Sequence, residues 1–300
     1  ARWWEWSDVE SVAVTGIHRS AATGNWHTSG TWDTGTTPAA SESVIVNSGH
    51  ALTVDSDAQC HDLVVKSDAE LVVPDGVVLG ITDDLVNHGT LRQTQNVDGS
   101  CNVGFFDTVG YGGVILSASD GGDLGPTVVT IQGHHDCTSE AAGSSVRRCF
   151  DVAPTQRTGV SATMRLYFSA SELGSLPCSD VQIWRWGGSA WEAAGTVSSR
   201  ECSAEPYYVE VTGVTDFSPF VLDNDPPGDP SPTAVQLASF TATPEDEAVR
   251  LRWRTTTEID TLGFLLYRSQ ARVGERAPLG PGLIPSQAPR GTSYSWLDAS

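Results

Sequence analysis

Lysine is almost missing from these 300 residues: Lys66 stands alone, and there is a single methionine. With 17 basic against 37 acidic residues, the formal net charge is −20. That excludes the clustered positive surface on which nucleic acid and anionic membranes depend, so neither is an expected partner. No stretch of about 18 apolar residues occurs, and no membrane span is expected. The signatures HExxH, GxSxG, the P-loop and a strand-to-helix GxGxxG are all absent, so no enzymatic activity is expected. No Asn-x-Ser/Thr acceptor for N-glycosylation is present either. The sequence begins at Ala1 and not at methionine, which fits removal of a secretory signal peptide.

What is present begins with a repeat. Residues 43–54 read SVIVNSGHALTV, residues 62–73 DLVVKSDAELVV and residues 83–94 DDLVNHGTLRQT. Val46, Val65 and Val86 lie 19 to 21 residues apart, and Leu52, Leu71 and Leu91 follow with nearly the same period. Such a period suits one coil of a β-solenoid, whose narrow apolar row is buried only by stacking on its neighbours. The expected fold class is all-β, a short parallel β-solenoid followed by β-sandwich domains. A Trp-rich N-terminal segment and the solenoid occupy 1–103, a β-sandwich-like domain 104–222, a Pro/Asp-rich linker 223–233 and an incomplete sandwich 234–300. In 154–222, period-two alternation over Thr163 to Ser169, Val181 to Trp186 and Tyr207 to Val211 predicts strands with one wet face.

The six cysteines, Cys60, Cys101, Cys137, Cys149, Cys178 and Cys202, include no CxxC pair and no zinc-like spacing with histidine. Fifteen pairings are open. Sequential pairing is our choice: Cys137 with Cys149 across a Gly/Ser-containing loop, Cys178 with Cys202 between two strands, and Cys60 with Cys101 bracing the solenoid. The alternative is buried thiols in a reducing compartment.

Trp3, Trp4 and Trp6 open the chain, a strand candidate follows at Val9 to Val14, and Trp26 and Trp32 flank a Thr/Ser/Gly segment. These indoles suit a cap on the solenoid's open end, an aromatic platform for sugar rings, or an arm that docks on a neighbouring subunit. Trp184 and Trp186 share a strand face, with Trp191 across a hairpin. They suit cross-strand packing or a glycan platform. No cofactor is expected, with calcium as the exception to weigh: Asp120 and Asp123 sit in a turn, and Asp223, Asp225 and Asp229 sit in the Pro-rich linker. Turn chemistry and a solvated spacer account for both sets. His134 and His135 beside Cys137 point to opposite faces of a strand, which disfavours a shared metal.

Two resemblances carry functional weight. Leu251-Arg252-Trp253, the segment Glu258 to Phe264 and Leu266-Tyr267-Arg268 resemble a fibronectin type III domain. That family buries a strand-B tryptophan and a tyrosine on the next strand, matched here by Trp253 and Tyr267. About 67 residues are present where a seven-strand sandwich takes roughly 90 to 100, and the final strands of the pattern are missing after Trp296. Gly24-Asn25-Trp26, Thr31-Trp32, Gly49 to Val54, Asp55 and the Leu85 to Leu91 coil look like the N-terminal β-solenoid of secreted bacterial surface proteins. The Phe217 to Leu222 ending is similar to a module that recurs in them. The resemblance implies an extracellular, structural or adhesive role with no catalytic motif to carry over. The expected function is a structural subunit of a filament, sheath or surface layer that self-associates into a homopolymer. The alternative is a carbohydrate-binding adhesin module with polysaccharide as partner. A glycan-active β-helix enzyme ranks below both, because the carboxylates Asp55, Asp57, Asp68, Asp83 and Asp84 fall mostly at turns. Strand addition is expected to complete the C-terminal sandwich from another chain, with the Trp-rich N-terminal segment as donor.

Overall fold

A computed structural model describes residues 16–99, 101–119, 122–138, 145–217, 219–227, 235–245, 248–258, 263–269, 277–286 and 292–299. The chain is all-β and divides into two units, one comprising residues 1–187 and 191–228 and the other residues 188–190 and 229–300.

The first unit starts with coils. β1 (Ile17–Arg19) and β2 (Gly24–Asn25) form the first, and β3 (Ser43–Val46), β4 (Ala51–Thr53) and β5 (Ala58–Cys60) the second. β6 (Leu63–Val65), β7 (Glu70–Val73) and β8 (Leu79–Ile81) form the third, and β9 (Leu85–Asn87) and β10 (Thr90–Val97) the fourth. Equivalent strands pair in parallel, one coil on the next, as β1-β3-β6-β9, β2-β4-β7-β10 and β5-β8. Leu52, Leu71 and Leu91 are in register and fully buried, as the leucine period predicts. The valine row slips. Val46 faces Val65, but Val65 faces Asn87, while Val86 pairs with Val64 and points outward.

β10 is where the architecture changes. On one side it pairs in parallel with β7, and on the other it pairs antiparallel over its whole length with β13. The later strands are β11 (Val103–Phe105), β12 (Val114–Ala118), β13 (Gly125–Gly133), β14 (Arg148–Pro154) and β15 (Ala162–Phe168). After the short helix α1 (Ala170–Leu173) come β16 (Gln182–Trp186), β17 (Trp191–Ala193), β18 (Thr196–Glu201), β19 (Tyr207–Val214) and β20 (Phe220–Asp223). The result is a nine-stranded sheet, β17-β16-β20-β14-β13-β10-β7-β4-β2, and a five-stranded antiparallel sheet, β11-β12-β15-β19-β18. One apolar core runs from Trp26 and Leu52 to Leu166, Val209 and Leu222. The expected boundary at 103/104 therefore separates no cores. β10 belongs to the coils and to the sandwich together, so the two halves share a sheet and an interior.

Two of the three expected disulfides form: Cys137–Cys149 and Cys178–Cys202, with Cα separations of 5.3 and 5.9 Å. Cys60 and Cys101 are not joined. Alternation in β5 turns Ala58 and Cys60 into the packed interior, where Cys60 is fully buried, whereas Cys101 is exposed beyond β10. Burial, and after it the charge of Asp62, pushes the Cys60 thiol up to about 12, so it is inert at neutral pH.

The second unit contains β21 (Val235–Glu245), β22 (Ala248–Glu258), β23 (Gly263–Arg268), β24 (Ala277–Pro285) and β25 (Ser293–Asp298). They make a three-stranded sheet, β21-β22-β25, and a two-stranded sheet, β23-β24. Trp253 is buried as expected. Tyr267 is not: alternation along β23 leaves Leu265 and Tyr267 about half exposed, and it is Phe264 that packs on Trp253.

Candidate assembly surfaces

A coil stack has two ends, each of which exposes strand edges and an apolar row unless something covers it. At the first coil, Trp26 and Trp32 fill the interior, ring on ring at 5.3 Å in an edge-to-face contact, and the Trp32 indole N–H donates to the Trp26 carbonyl at 2.7 Å. This is the cap reading of the tryptophans. Beside it, His18 bonds the Glu42 carboxylate at 2.9 Å. The Ala39 N–H above all, with help from His18 against burial, holds that carboxyl below its usual range. β1 and β2 each have one strand partner among the described residues; the outer edge of β1 is engaged by the Asp33 N–H on the Arg19 carbonyl at 2.9 Å and by the Thr31 carbonyl, which accepts from the Ala21 N–H at 2.8 Å. Trp3, Trp4, Trp6 and the strand candidate Val9 to Val14 lie outside the described residues.

The far end is closed by polar chemistry. Asn87 takes an interior position and donates to the Tyr111 hydroxyl at 3.2 Å. The Arg148 guanidinium lies 4.1 Å from the Tyr111 ring centroid and pairs with Glu172 at 2.7 Å, both side chains almost wholly buried. Arg148 also donates to the Tyr111 and Tyr167 carbonyls. Glu172 caps α1 by accepting from the Ser169 N–H at 3.0 Å, and it accepts from the His134 N–H at 3.3 Å. Burial pushes the Glu172 carboxyl up, but the Arg148 charge and hydrogen bond, with Ser169, outweigh it and hold the carboxyl below its usual range. The His88 ring stacks on His134 at 4.2 Å. Desolvation, before the nearby charges, keeps His134 below 6.5. Gly133 permits this approach, since a Cβ there would lie 2.1 Å from the Asn87 carbonyl.

The tryptophan trio offers no open platform. Trp186 pairs with Trp191 across the hairpin, their rings 5.4 Å apart, and both are buried against Val221 and the Cys137–Cys149 bridge. Trp184 is half-buried, and its indole N–H is engaged by the Asp223 carbonyl at 3.1 Å. The trio packs across strands, because a flat pleated surface brings paired aromatics together.

Among the described residues, the linker aspartates join no metal-type cluster. Asp223 ends β20, buried, and its carboxylate accepts from Ser145 at 2.6 Å and the Asn224 N–H at 2.7 Å. Asp225 is exposed, and Asp229 lies outside the described residues. The group that coil stacking does gather is His61, Asp62 and Asp83, with ligand-type atoms within 4.8 Å of one another on the surface. Asp62 is already held by Ser43 at 2.7 Å and His61 at 3.2 Å. The pattern that could have located it is the polar pair before each strand, His61-Asp62 before β6 and Asp83-Asp84 before β9.

The second unit has the most open surface. Seven of the ten exposed large apolar side chains among the described residues lie there: Leu237, Phe240, Val249, Leu265, Tyr267, Leu283 and Leu297. Its buried apolar side chains among the described residues are Leu251, Trp253 and Tyr294. Register places Phe240, Trp253 and Tyr294 in one row across β21, β22 and β25. Phe264 covers Trp253 and Tyr294, at 5.7 and 4.8 Å between ring centroids, while Phe240 stays half exposed. The Trp253 indole N–H is buried with no acceptor among the described residues. A buried donor left unmatched is destabilising, which marks this face as unfinished.

Compared with known proteins, the chain matches no family model, no curated protein and no solved structure.

Proposed function

We propose that this chain is a structural subunit of an extracellular bacterial assembly, a filament, sheath or surface layer, whose copies join through strand edges and coil ends. The observation that carries the reading is the second unit, in which, among the described residues, exposed large apolar side chains outnumber buried ones. Phe240 lies exposed in the Trp253 row, and exposed apolar surface beside a core suits a contact site. Among the described strands, β2 and β21 each have one strand neighbour, and their other edges offer backbone donors and acceptors for joining strands. Two disulfides support an oxidising, secreted setting. The buried Trp253 and the 3+2 strand arrangement support the likeness of this unit to a fibronectin type III domain. A glycan adhesin built on the Trp184, Trp186 and Trp191 face lacks a stacking surface, because two of the three rings are buried.

Electron microscopy and sedimentation velocity of the purified protein test the proposal. Regular polymers, or a sedimentation coefficient that rises with concentration, are expected. A chain that stays monomeric at every concentration overturns it.

A further inference from the structure

We infer that two copies of this chain join at the outer edge of β21, strand against strand and antiparallel, about a two-fold axis at Phe240. The inference rests on the assembly reading and names the partner at one of its edges, the β21 of a second copy.

Among the described strands β21 has one neighbour, β22, and from Ser239 to Glu245 it runs in unbroken register with it. On the far side of β22 the Thr255 N–H donates to the Thr292 carbonyl at 3.0 Å. Alternation then turns the backbone of Trp253 toward β25 and that of Arg252 toward β21, where it faces Thr241. The N–H and C=O groups of Phe240 and Ala242 therefore point out of the sheet's open edge. Pro244, which has no N–H to offer, shares that outward parity, the place a sheet tolerates proline. Side chains from Ser239 to Glu245 are exposed on both faces of the strand. Other sheet edges carry charge or proline: Glu192 on β17, Arg200 and Glu201 on β18, Asp298 on β25, and three prolines on β24. From Val235 to Pro244 the β21 sequence carries no formal charge.

That missing charge selects a second copy as the partner. About a two-fold axis each residue meets itself or a near neighbour in the sequence, so a charged edge opposes its own copy and an uncharged edge does not. From Asp229 on the chain has seven basic and eight acidic residues, so little net charge holds two second units apart. Register follows from Pro244. Centring the pair on Phe240, the middle of the eleven residues, sets Ala238 against Ala242 and leaves Pro244 at the rim, as it does the irregular step at Leu237. Centring it on Ala242 would set Pro244 against Phe240 and forfeit bonds in the middle. With Phe240 at the axis, the row of Tyr294, Trp253 and Phe240 continues into the same three residues of the second copy across a six-stranded sheet. Phe240, 50% exposed in the single chain, gains an aromatic neighbour there. A two-fold joint closes on itself, so growth past a pair takes a second contact elsewhere on the chain.

Four full-length proteins decide it by sedimentation velocity: wild type, Phe240→Lys, Phe240→Asp and Ala242→Pro. Alone, Phe240→Lys and Phe240→Asp each set like charges face to face, and each should weaken association about a hundredfold. Mixed in equal amounts they set lysine against aspartate across the axis, and association should recover by at least about tenfold. Ala242→Pro removes one outward N–H from each copy and leaves the bonds to β22 in place, so it should weaken association about thirtyfold. Urea transitions of the second unit check that the variants are folded, and should a variant at position 240 unfold, Ala242→Pro decides alone. A mixture that assembles no better than either variant by itself, or an Ala242→Pro protein that assembles as wild type does, overturns the inference. Wild-type assembly with all three variants unimpaired removes this joint only, whereas a wild-type protein that stays monomeric at every concentration removes the assembly reading itself.

Discussion

The two units answer the same problem, an apolar sheet face that needs a cover, in opposite ways. The first finds every cover within itself. Coils stack on coils, Trp26 and Trp32 fill one end, the Asn87, Tyr111, Arg148 and Glu172 network closes the other, and two disulfides tie the later strands. The second has three strands over two and leaves Phe240 and Leu237 in water. Charge divides the same way: ten basic and 29 acidic residues up to Gly228, seven and eight from Asp229 on. Almost the whole net charge therefore belongs to the unit that is closed. Self-repulsion opposes broad contact between such surfaces and leaves the first unit only its coil ends and strand edges for association, whereas the nearly neutral second unit meets no such barrier.

The contrast is broken most directly by reduction. All six cysteines precede Asp229, so a reductant in a denaturation experiment should act on the first unit alone. Loss of the Cys137–Cys149 and Cys178–Cys202 bridges should lower its stability by about 3 kcal/mol each in the chain-entropy model. The transition of the second unit, followed through a probe at Trp253, should not move. A shift in both transitions would mean that the units unfold as one.

Next in size is Arg148→Ala. It leaves Glu172 buried beside His134 without its partner, and an uncompensated buried carboxylate costs about 3 to 5 kcal/mol. Urea denaturation of the first unit measures it. A change below about 1 kcal/mol would show that water reaches Glu172 and that the coil end is less closed than its burial indicates.

A matched pair of truncations compares the cores themselves. Leu71→Ala, in the middle of the leucine row, should cost about 2 to 5 kcal/mol. Phe240→Ala should cost the monomer under about 1 kcal/mol because half of the ring is already in water. The same Phe240→Ala change should weaken assembly. If both truncations destabilise the monomer equally, the second unit's face is covered within the chain.

These residues also show what could be read before folding. The Leu52, Leu71 and Leu91 row was legible because an unbroken run of apolar residues at one period has few other uses. The valine row failed at Val86 because the step from β6 to β9 is one residue longer than that from Val65 to Val86, and the pattern alone prefers valine inside. Asn87 wins that place because Tyr111, 24 residues further on, supplies its partner, and no local window contains that fact. Cys137–Cys149 and Cys178–Cys202 were readable from nearness along the chain, whereas Cys60 needed its strand's facing. The shared sheet was hidden because β10 reads as one more coil until β13 returns beside it. The unmatched Trp253 N–H was not legible, since alternation reports burial and not hydrogen bonding.

The smallest expected effect is on pH dependence, and it again separates the units, because all seven histidines precede Asp229. Desolvation, first among the influences of Glu172, His88, Arg148 and Arg147, places the folded His134 below its unfolded value of 6.5, and His135 is lowered too, chiefly by burial. Between those folded values and 6.5 the unfolded chain binds more protons. Stability is therefore full above 6.5 and falls as pH drops through that window. The stacked His88 and His134 rings strengthen the trend, since a second charge 4.2 Å from the first is unfavourable. Further acidification removes what Glu42, Asp55, Asp62 and Glu172 contribute, as each carboxyl is held below its ordinary value and its share is lost as pH falls through the folded one. Thermal melts between pH 7 and 5 should thus lower the first transition while the second, with no histidine, stays level. His134→Gln should flatten the slope of the first. An unchanged slope in that variant would place the proton uptake away from the coil end and leave the Arg148 and Glu172 closure insensitive to pH.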